Sequence, residues 1–310
     1  MLHWDVGPAL AARLKALQSD ELSIVAAGAR DEAAYGRAAP DAEVLWHALT
    51  PVDAARIARS PRLRLIQKIG VGVNTIDLDA ARARGIAVCN MPGTNTRAVA
   101  EMTLALMLAA LRRLPLFDAG VRAGQWVPAP ARLDGIGEIG GATVGLVGYG
   151  GVPRFLAPML TALGADVRYF AHRPVDDAAG AWRPLDELLR ESDIVSLHVP
   201  LTAETVRLID ARRLGLMKPG AVLINTARGG LVDQPALVAA LRSRRLGAAG
   251  LDVLATEPPG AHEAIFTLDN VVLAPHVAWL TDATWDRSLQ VAVENCRRLA
   301  AGEPLLHRVA

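Results

Sequence analysis

Three polar side chains stand just past three apolar runs, and their types suit the reduction of a carbonyl. Arg228 lies in Asn225-Thr226-Ala227-Arg228-Gly229-Gly230, after the apolar run 222–225. Glu257 follows Asp252, which belongs to the run 250–253, and His276 follows Pro275 and the run 271–273. A guanidinium can grip a carboxylate with two parallel hydrogen bonds and polarise a neighbouring carbonyl. An imidazole can deliver a proton as a hydride arrives, a contribution of about 10²–10⁴-fold. A carboxylate can orient that imidazole, hold one tautomer and raise its pKa.

A hydride needs a carrier, and residues 143–153 suit one. The apolar run 143–147 meets Gly148, Gly150 and Gly151 within four residues, and a long apolar-periodic segment follows. This is the pattern of a buried strand turning into a helix whose first N–H groups and positive dipole end receive a phosphate. Gly148 allows the tight turn, Gly150 lets the backbone approach a pyrophosphate, and the N–H groups of Gly151 and Val152 face it. Pro153 stands where a third glycine is usual, and proline is tolerated in a first helical turn. About 20 residues on, such units place an acid on the adenosine ribose. Here the stretch reads Phe170-Ala171-His172-Arg173-Pro174. Ala171 cannot repel a 2′-phosphate and Arg173 can pair with one, with His172 beside it, so the expected cofactor is NADP in preference to NAD. The alternative leaves Arg173 in solvent and turns Asp176 or Asp177 back to the ribose.

Parallel sheets would position these residues. Apolar runs at 22–27, 44–47, 63–69, 86–89, 143–147, 167–170, 194–197, 222–225, 250–253 and 271–273 read as strands. Helical spacing lies between them at 51–59, 78–84, 151–163, 185–190 and 235–244, with one long apolar helix from 97 to 114 that Pro115 ends. A Gly- and Pro-rich loop covers 120–141, after which the alternation restarts. Strand–helix alternation predicts βαβ units, and the restart predicts two sheets. The segment 282–301 reads as one amphipathic helix returning to the first domain. Ligands of doubly wound sheets sit at the carboxyl ends of strands, where Arg228, Glu257 and His276 fall.

Composition narrows the classes. A length of 310 residues with 52% apolar content suits two domains with sizeable cores. A net charge of +1, from 33 basic and 32 acidic residues, gives no basic surface for nucleic acid or membrane. The two cysteines, Cys89 and Cys296, fit a reducing compartment. The opening residues show no basic-then-apolar leader, and the longest apolar stretch, 102–111, is too short to span a bilayer. A cytoplasmic protein is expected. No Cys/His cluster has metal-ligand spacing, so no metal is expected.

Taken with 68–77 (Lys68-Ile69-Gly70-Val71-Gly72-Val73-Asn74-Thr75-Ile76-Asp77), 95–101, 122–126, 198–202, Gly250-Leu251-Asp252-Val253, Glu257-Pro258 and Pro275-His276, the chain resembles the D-isomer-specific 2-hydroxyacid dehydrogenase family along nearly all its length. The resemblance implies that Arg228 binds substrate, that His276 is the acid/base and that Glu257 is its partner. It implies that Asp252 sits by the nicotinamide amide and that Thr96 touches the cofactor. It further implies that backbone N–H groups at Val71 and Gly72, with Lys68 close by, hold the substrate carboxylate. The expected fold is α/β, with two doubly wound parallel-sheet domains: a Rossmann cofactor domain over 97–280 and a split, flavodoxin-like substrate domain over 1–96 and 281–310. The active site is expected between them, and a homodimer built on the cofactor domain. The expected reaction reduces a small 2-oxoacid such as glyoxylate or hydroxypyruvate. The alternatives are an NAD-dependent enzyme of a larger or phosphorylated hydroxyacid and a non-catalytic dinucleotide sensor. Gly151 departs from the family pattern, which carries a polar side chain there; Arg154 or backbone must then serve the phosphate. His198, Cys89 and Cys296 read as structural, and Trp279 and Trp285 as pocket wall or packing.

Overall fold

The computed structural model describes the backbone of residues 1–310 and the side chains of all but Ala131. The chain divides into two compact units, Met1–Asn95 with Leu280–Ala310, and Thr96–Trp279.

The first unit holds a parallel five-stranded sheet of β1 (Leu2–His3), β2 (Ala26–Ala27), β3 (Val44–His47), β4 (Leu65–Lys68) and β5 (Ala87–Cys89), in the order β2-β1-β3-β4-β5. That is the flavodoxin-like order. Its core gathers Tyr35, Leu45, Ile57, Ile66 and Val88, all within 1% of complete burial. The helix Asp282–Ala301 belongs to this unit. It is capped by Thr281, whose hydroxyl accepts the Thr284 N–H, and fastened by Asn295, which donates to Gln67 Oε1 at 2.6 Å.

The second unit holds a parallel seven-stranded sheet of β6 (Thr143–Val147), β7 (Asp166–Phe170), β8 (Ala181–Trp182), β9 (Ile194–Leu197), β10 (Val222–Asn225), β11 (Ala248–Leu251) and β12 (Val271–Leu273). The order is β12-β11-β10-β9-β6-β7-β8. It reverses beside β6, which makes a Rossmann switch point at the end of that strand. β9, β10 and β11 are buried throughout, as strands covered by helices on both faces must be. The long helix Thr96–Leu111 lies on one face through Ala98, Ala100, Thr103, Leu106, Met107 and Ala110. Its approach is close: a Cβ on Gly250 of β11 would sit 3.0 Å from Leu106 Cβ.

Three expectations need correction. The long helix stops at Leu111 rather than Leu114, and Pro115 opens a second helix, Leu114–Arg122, instead of closing the first. Arg113 breaks the pair with φ +51°, and its guanidinium donates to Arg132 O at 2.7 Å and Asp134 O at 2.6 Å. Proline favours such a first turn. The run 22–27 pairs only at Ala26–Ala27, because β1 offers it two residues. β11 ends at Leu251, two residues early: the Asp252 N–H still donates to Asn225 O at 2.9 Å, but its carbonyl and carboxylate turn to the loop after β12. Among the described residues, no helix is long and apolar enough to cross a membrane.

Candidate active site

β6 runs through buried Val144, Leu146 and Val147 into Gly148. Gly148 has φ +102°, and a Cβ there would meet the His198 carbonyl oxygen at 2.7 Å, so both conformation and space demand glycine. Gly150 is the N-cap of the helix Gly151–Ala162, which no side chain caps, and space is open within 4 Å of where its Cβ would stand. The N–H groups of Gly151 and Val152 therefore begin a twelve-residue helix with no side chain between them and a phosphate, the cradle a pyrophosphate requires. Thr96 borders the same turn: a Cβ on Gly151 would be 3.3 Å from its hydroxyl. Pro153 is buried in the first turn, and Arg154 lies over the Tyr149 ring at 5.6 Å. His198 backs the turn. Its Nε2 shares a 2.9 Å hydrogen bond with Ser196 Oγ, and burial pushes its pKa down to about 3, so it is neutral.

At the end of β7, Ala171 is half-buried while His172 and Arg173 are exposed, with the His172 ring 6.3 Å from Phe170. Asp176 and Asp177 are exposed on the same loop, and Asp177 has φ +56°.

The ends of β10, β11 and β12 bring Arg228, Glu257 and His276 together. After β10, the buried Asn225 shapes the turn with its own amide: Oδ1 accepts the Ala227 N–H at 3.0 Å and Nδ2 donates to Arg228 O at 2.9 Å. Arg228 Nη1 donates to Ala227 O at 2.7 Å. Burial lowers the Arg228 pKa while the charge of Glu257 works against that, so the two sense each other. Gly229 cannot be replaced, since a Cβ would lie 1.9 Å from Leu254 O. After β11, Leu254 N–H donates to Glu257 Oε1 at 3.0 Å, and Glu257 Oε2 accepts from His276 Nδ1 at 2.5 Å. Burial disfavours the Glu257 carboxylate, but the hydrogen bond and charge of His276, the Leu254 N–H and Arg228 outweigh it and hold the pKa below the ordinary range. With Nδ1 committed to Glu257, Nε2 is the nitrogen left to exchange a proton.

His276 itself has φ +56°, a left-handed conformation uncommon outside glycine. Its backbone is held from both sides. Its N–H donates to Asp252 O at 2.7 Å, and its carbonyl accepts Trp279 Nε1 at 3.1 Å. The Asp252 carboxylate accepts the N–H groups of Val277 at 2.8 Å and Ala278 at 3.0 Å, and burial drives its pKa up. Sequence reasoning missed the positioning roles of Asn225 and Trp279; only an Asn at a strand end before a turn gave any signal.

In the first unit, Lys68 ends β4, is buried at 3% exposure and donates to the Ala48 carbonyl. The following loop passes through Gly70, at φ +132°, to exposed Val71 and half-buried Gly72. Asn90 Nδ2 donates to Val71 O at 2.9 Å, and Met91 N–H to Gly70 O at 2.8 Å. Cys89 is buried, with its thiol pushed up to about 11, and Cys296 is raised by burial as well.

A parallel sheet with an open glycine turn at its switch point, and an Arg, a Glu and a His on neighbouring strand ends, defines a dinucleotide-binding dehydrogenase class. A family model described as "D-isomer specific 2-hydroxyacid dehydrogenase, NAD binding domain" matches residues 104–278, and the chain belongs to that family. It is 41% identical over 275 residues to the glyoxylate reductase of Aeropyrum pernix, covering 86% of this chain and 82% of that protein. It is also 41% identical over 273 residues to the D-3-phosphoglycerate dehydrogenase of Mycobacterium tuberculosis, covering 86% of this chain. The chain spans about half of that relative's length, 51%. Among solved structures, the TT0316 protein from Thermus thermophilus superposes with a TM-score of 0.87 at 38% identity, covering 100% of this chain and 99% of that one.

Proposed function

We propose that this protein reduces the C2 carbonyl of a small 2-oxoacid, such as glyoxylate or hydroxypyruvate, to the D-2-hydroxyacid, with NADPH favoured over NADH. The observation that carries the reading is the 2.5 Å His276–Glu257 hydrogen bond beside the buried Arg228, in the unit that also carries the open glycine turn. The bound cofactor supplies the hydride that adds to C2. Arg228 holds the substrate carboxylate and draws electron density toward the carbonyl oxygen. His276, doubly protonated, gives its Nε2 proton to that oxygen as the alkoxide forms, and Glu257 stabilises the imidazolium before the transfer. In the first unit, the N–H groups of Val71 and Gly72, with Lys68, are proposed to bind the substrate carboxylate. Thr96 and Asp252 are proposed to border the cofactor's phosphates and nicotinamide, with Gly148, Gly150, Gly151 and Val152 at the pyrophosphate.

Arg173, with His172, favours NADPH, since Ala171 leaves no acid to repel a 2′-phosphate. A small substrate fits the first unit better than a phosphorylated one. Lys68 ends β4, and the neighbouring strand end carries His47, whose pKa burial holds well below the ordinary value and which stays neutral. A homodimer is proposed on the second unit, where the helix Leu114–Arg122 buries none of its residues and Trp126 and Val127 are 81% and 82% exposed. Free cysteines agree with work in the cytoplasm. The test is a paired assay of NADPH and NADH oxidation with glyoxylate, hydroxypyruvate, pyruvate, 3-phosphohydroxypyruvate and a bulky aromatic 2-oxoacid. Turnover with the first two and NADPH is expected. No turnover across the panel refutes the enzyme, and better rates with the phosphorylated acid refute the substrate class.

A further inference from the structure

The loop that would read the cofactor's ribose has little of its own to hold it in place. His172, Arg173, Pro174, Asp176 and Asp177 are all exposed, and the connection from β7 to β8 contains no helix. Left to itself, such a segment would be ordered only on binding, and the ligand would bear the entropy of fixing each residue. Two buried tyrosines prevent that. Tyr149, 8% exposed, and Tyr169, 2% exposed, pack against each other with ring centroids 4.3 Å apart and planes tilted by 38°. The Tyr149 hydroxyl accepts the Ala179 N–H at 2.7 Å. The Tyr169 hydroxyl accepts the Val175 N–H at 2.7 Å and donates to the Val175 carbonyl at 3.3 Å. Trp182 adds a third tie, its Nε1 donating to Ala171 O at 3.0 Å. A Phe or Leu would fill the same space but would leave those two half-buried amides without an acceptor, and a polar group kept from water without a partner destabilises the arrangement that buries it.

The origin of the two rings matters. Tyr149 stands between Gly148 and Gly150, inside the turn that offers N–H groups to a pyrophosphate, and Tyr169 lies in β7, one residue before the strand's end. The pair therefore ties the phosphate turn to the ribose loop. We propose that Tyr149 and Tyr169 are positioning residues that preset the loop 172–179, so that His172 and Arg173 discriminate for a 2′-phosphorylated adenosine. This rests on the NADPH reading above.

The test uses Tyr149→Phe, Tyr169→Phe and the double variant, with Arg173→Ala alone and combined with them. Phenylalanine keeps both rings, and with them the seat of Arg154 on Tyr149, so the hydroxyls alone are read. In the cofactor-free protein, hydrogen exchange at the Val175 and Ala179 amides should accelerate by about tenfold in the variants, and calorimetric Kd for 2′,5′-ADP should rise by a similar factor. Kd for 5′-ADP should move less than about twofold, and on Arg173→Ala the tyrosine changes should add less to the 2′,5′-ADP loss than they do on wild type, the remainder being the share of His172. If both nucleotides weaken alike, or if exchange quickens while 2′,5′-ADP binding holds, the positioning role is overturned and the cofactor reading stands. If the wild-type protein binds 2′,5′-ADP no more tightly than 5′-ADP, the cofactor reading falls and takes this inference with it.

Discussion

Both units are doubly wound parallel sheets, yet their first strand-to-helix turns are built for opposite purposes. In the second unit, β6 enters the helix Gly151–Ala162 through Gly148-Tyr149-Gly150, with no side chain capping the helix. In the first unit, β1 reaches the helix Pro8–Ala16 through Trp4-Asp5-Val6-Gly7. Pro8 removes one of the N–H groups a phosphate would use, and Asp5 puts a carboxylate into the turn, accepting the Ala29 N–H at 3.1 Å. Asp5 also abuts Gly28, whose Cβ would fall 2.7 Å from its oxygen. A negative charge stands in the turn where the other unit leaves room for one. The lesson is that sheet order supplies a place for a ligand, and three or four turn residues decide whether an anion is welcome.

The largest expected effect lies at the strand ends of the second unit. His276→Ala should lower kcat by at least about a hundredfold with folding intact by circular dichroism, since general acid catalysis contributes about 10²–10⁴-fold. A fall of only a few-fold would remove the proton-donor assignment and leave the two units with no difference in chemistry to explain. Arg228→Lys should be crippled too, because an ammonium cannot reproduce the planar fork.

Acid should separate the units next. His3 and His47 are buried in the first unit, with pKa values lowered by burial, that of His3 to about 4. The second unit has one such group, His198, at about 3. The folded state binds these protons more weakly than the unfolded state, whose histidines titrate near 6.5. Stability is therefore complete above about pH 6.5 and falls as pH drops toward the folded values, by about 1.4 kcal/mol per pH unit for each histidine. From pH 6.5 to 5.5 the first unit should lose about 2 kcal/mol and the second about half that, because the unfolded histidines are already half protonated at the start. Amide exchange resolved by residue should show β3 and β4 opening before β9 and β10. Simultaneous opening would show the two units to be energetically one.

How much of this was legible in the residues follows from what each position demands. The glycine turn could be read because its backbone admits no side chain at Gly148. The placing of Arg228, Glu257 and His276 at neighbouring strand ends could be read because each follows an apolar run of strand length. The two-residue strands β1 and β8 could not, since two residues carry no periodicity. Nor could the φ of His276, which depends on Asp252 and Trp279 holding it from positions 24 and 3 residues away in the chain. The resemblance placed Asp252 beside the nicotinamide; its carboxylate also fastens the loop that carries the imidazole, a role no spacing could show. The ends of the long helix were misread because Arg113, rather than Pro115, makes the break.

The two turns themselves allow the finest comparison, by adding the same methyl group to each. Gly148→Ala forces a left-handed residue to carry a Cβ 2.7 Å from the His198 carbonyl, and such strain costs about 1–3 kcal/mol. The helix start must shift to relieve it, so dinucleotide affinity should fall by about tenfold or more beyond the loss of stability. Gly7→Ala is the smallest effect of the set. Gly7 has φ −80°, a conformation any residue adopts, and nothing lies within 4 Å of the added carbon. Alanine lowers the entropy of the unfolded chain but is a poorer N-cap than glycine for the helix Pro8–Ala16, so thermal unfolding should change by less than about 1 kcal/mol in either direction, with cofactor affinity unmoved. A loss of cofactor affinity in Gly7→Ala would mean that the first unit's turn takes part in dinucleotide binding after all, and the contrast between the two turns would have to be abandoned.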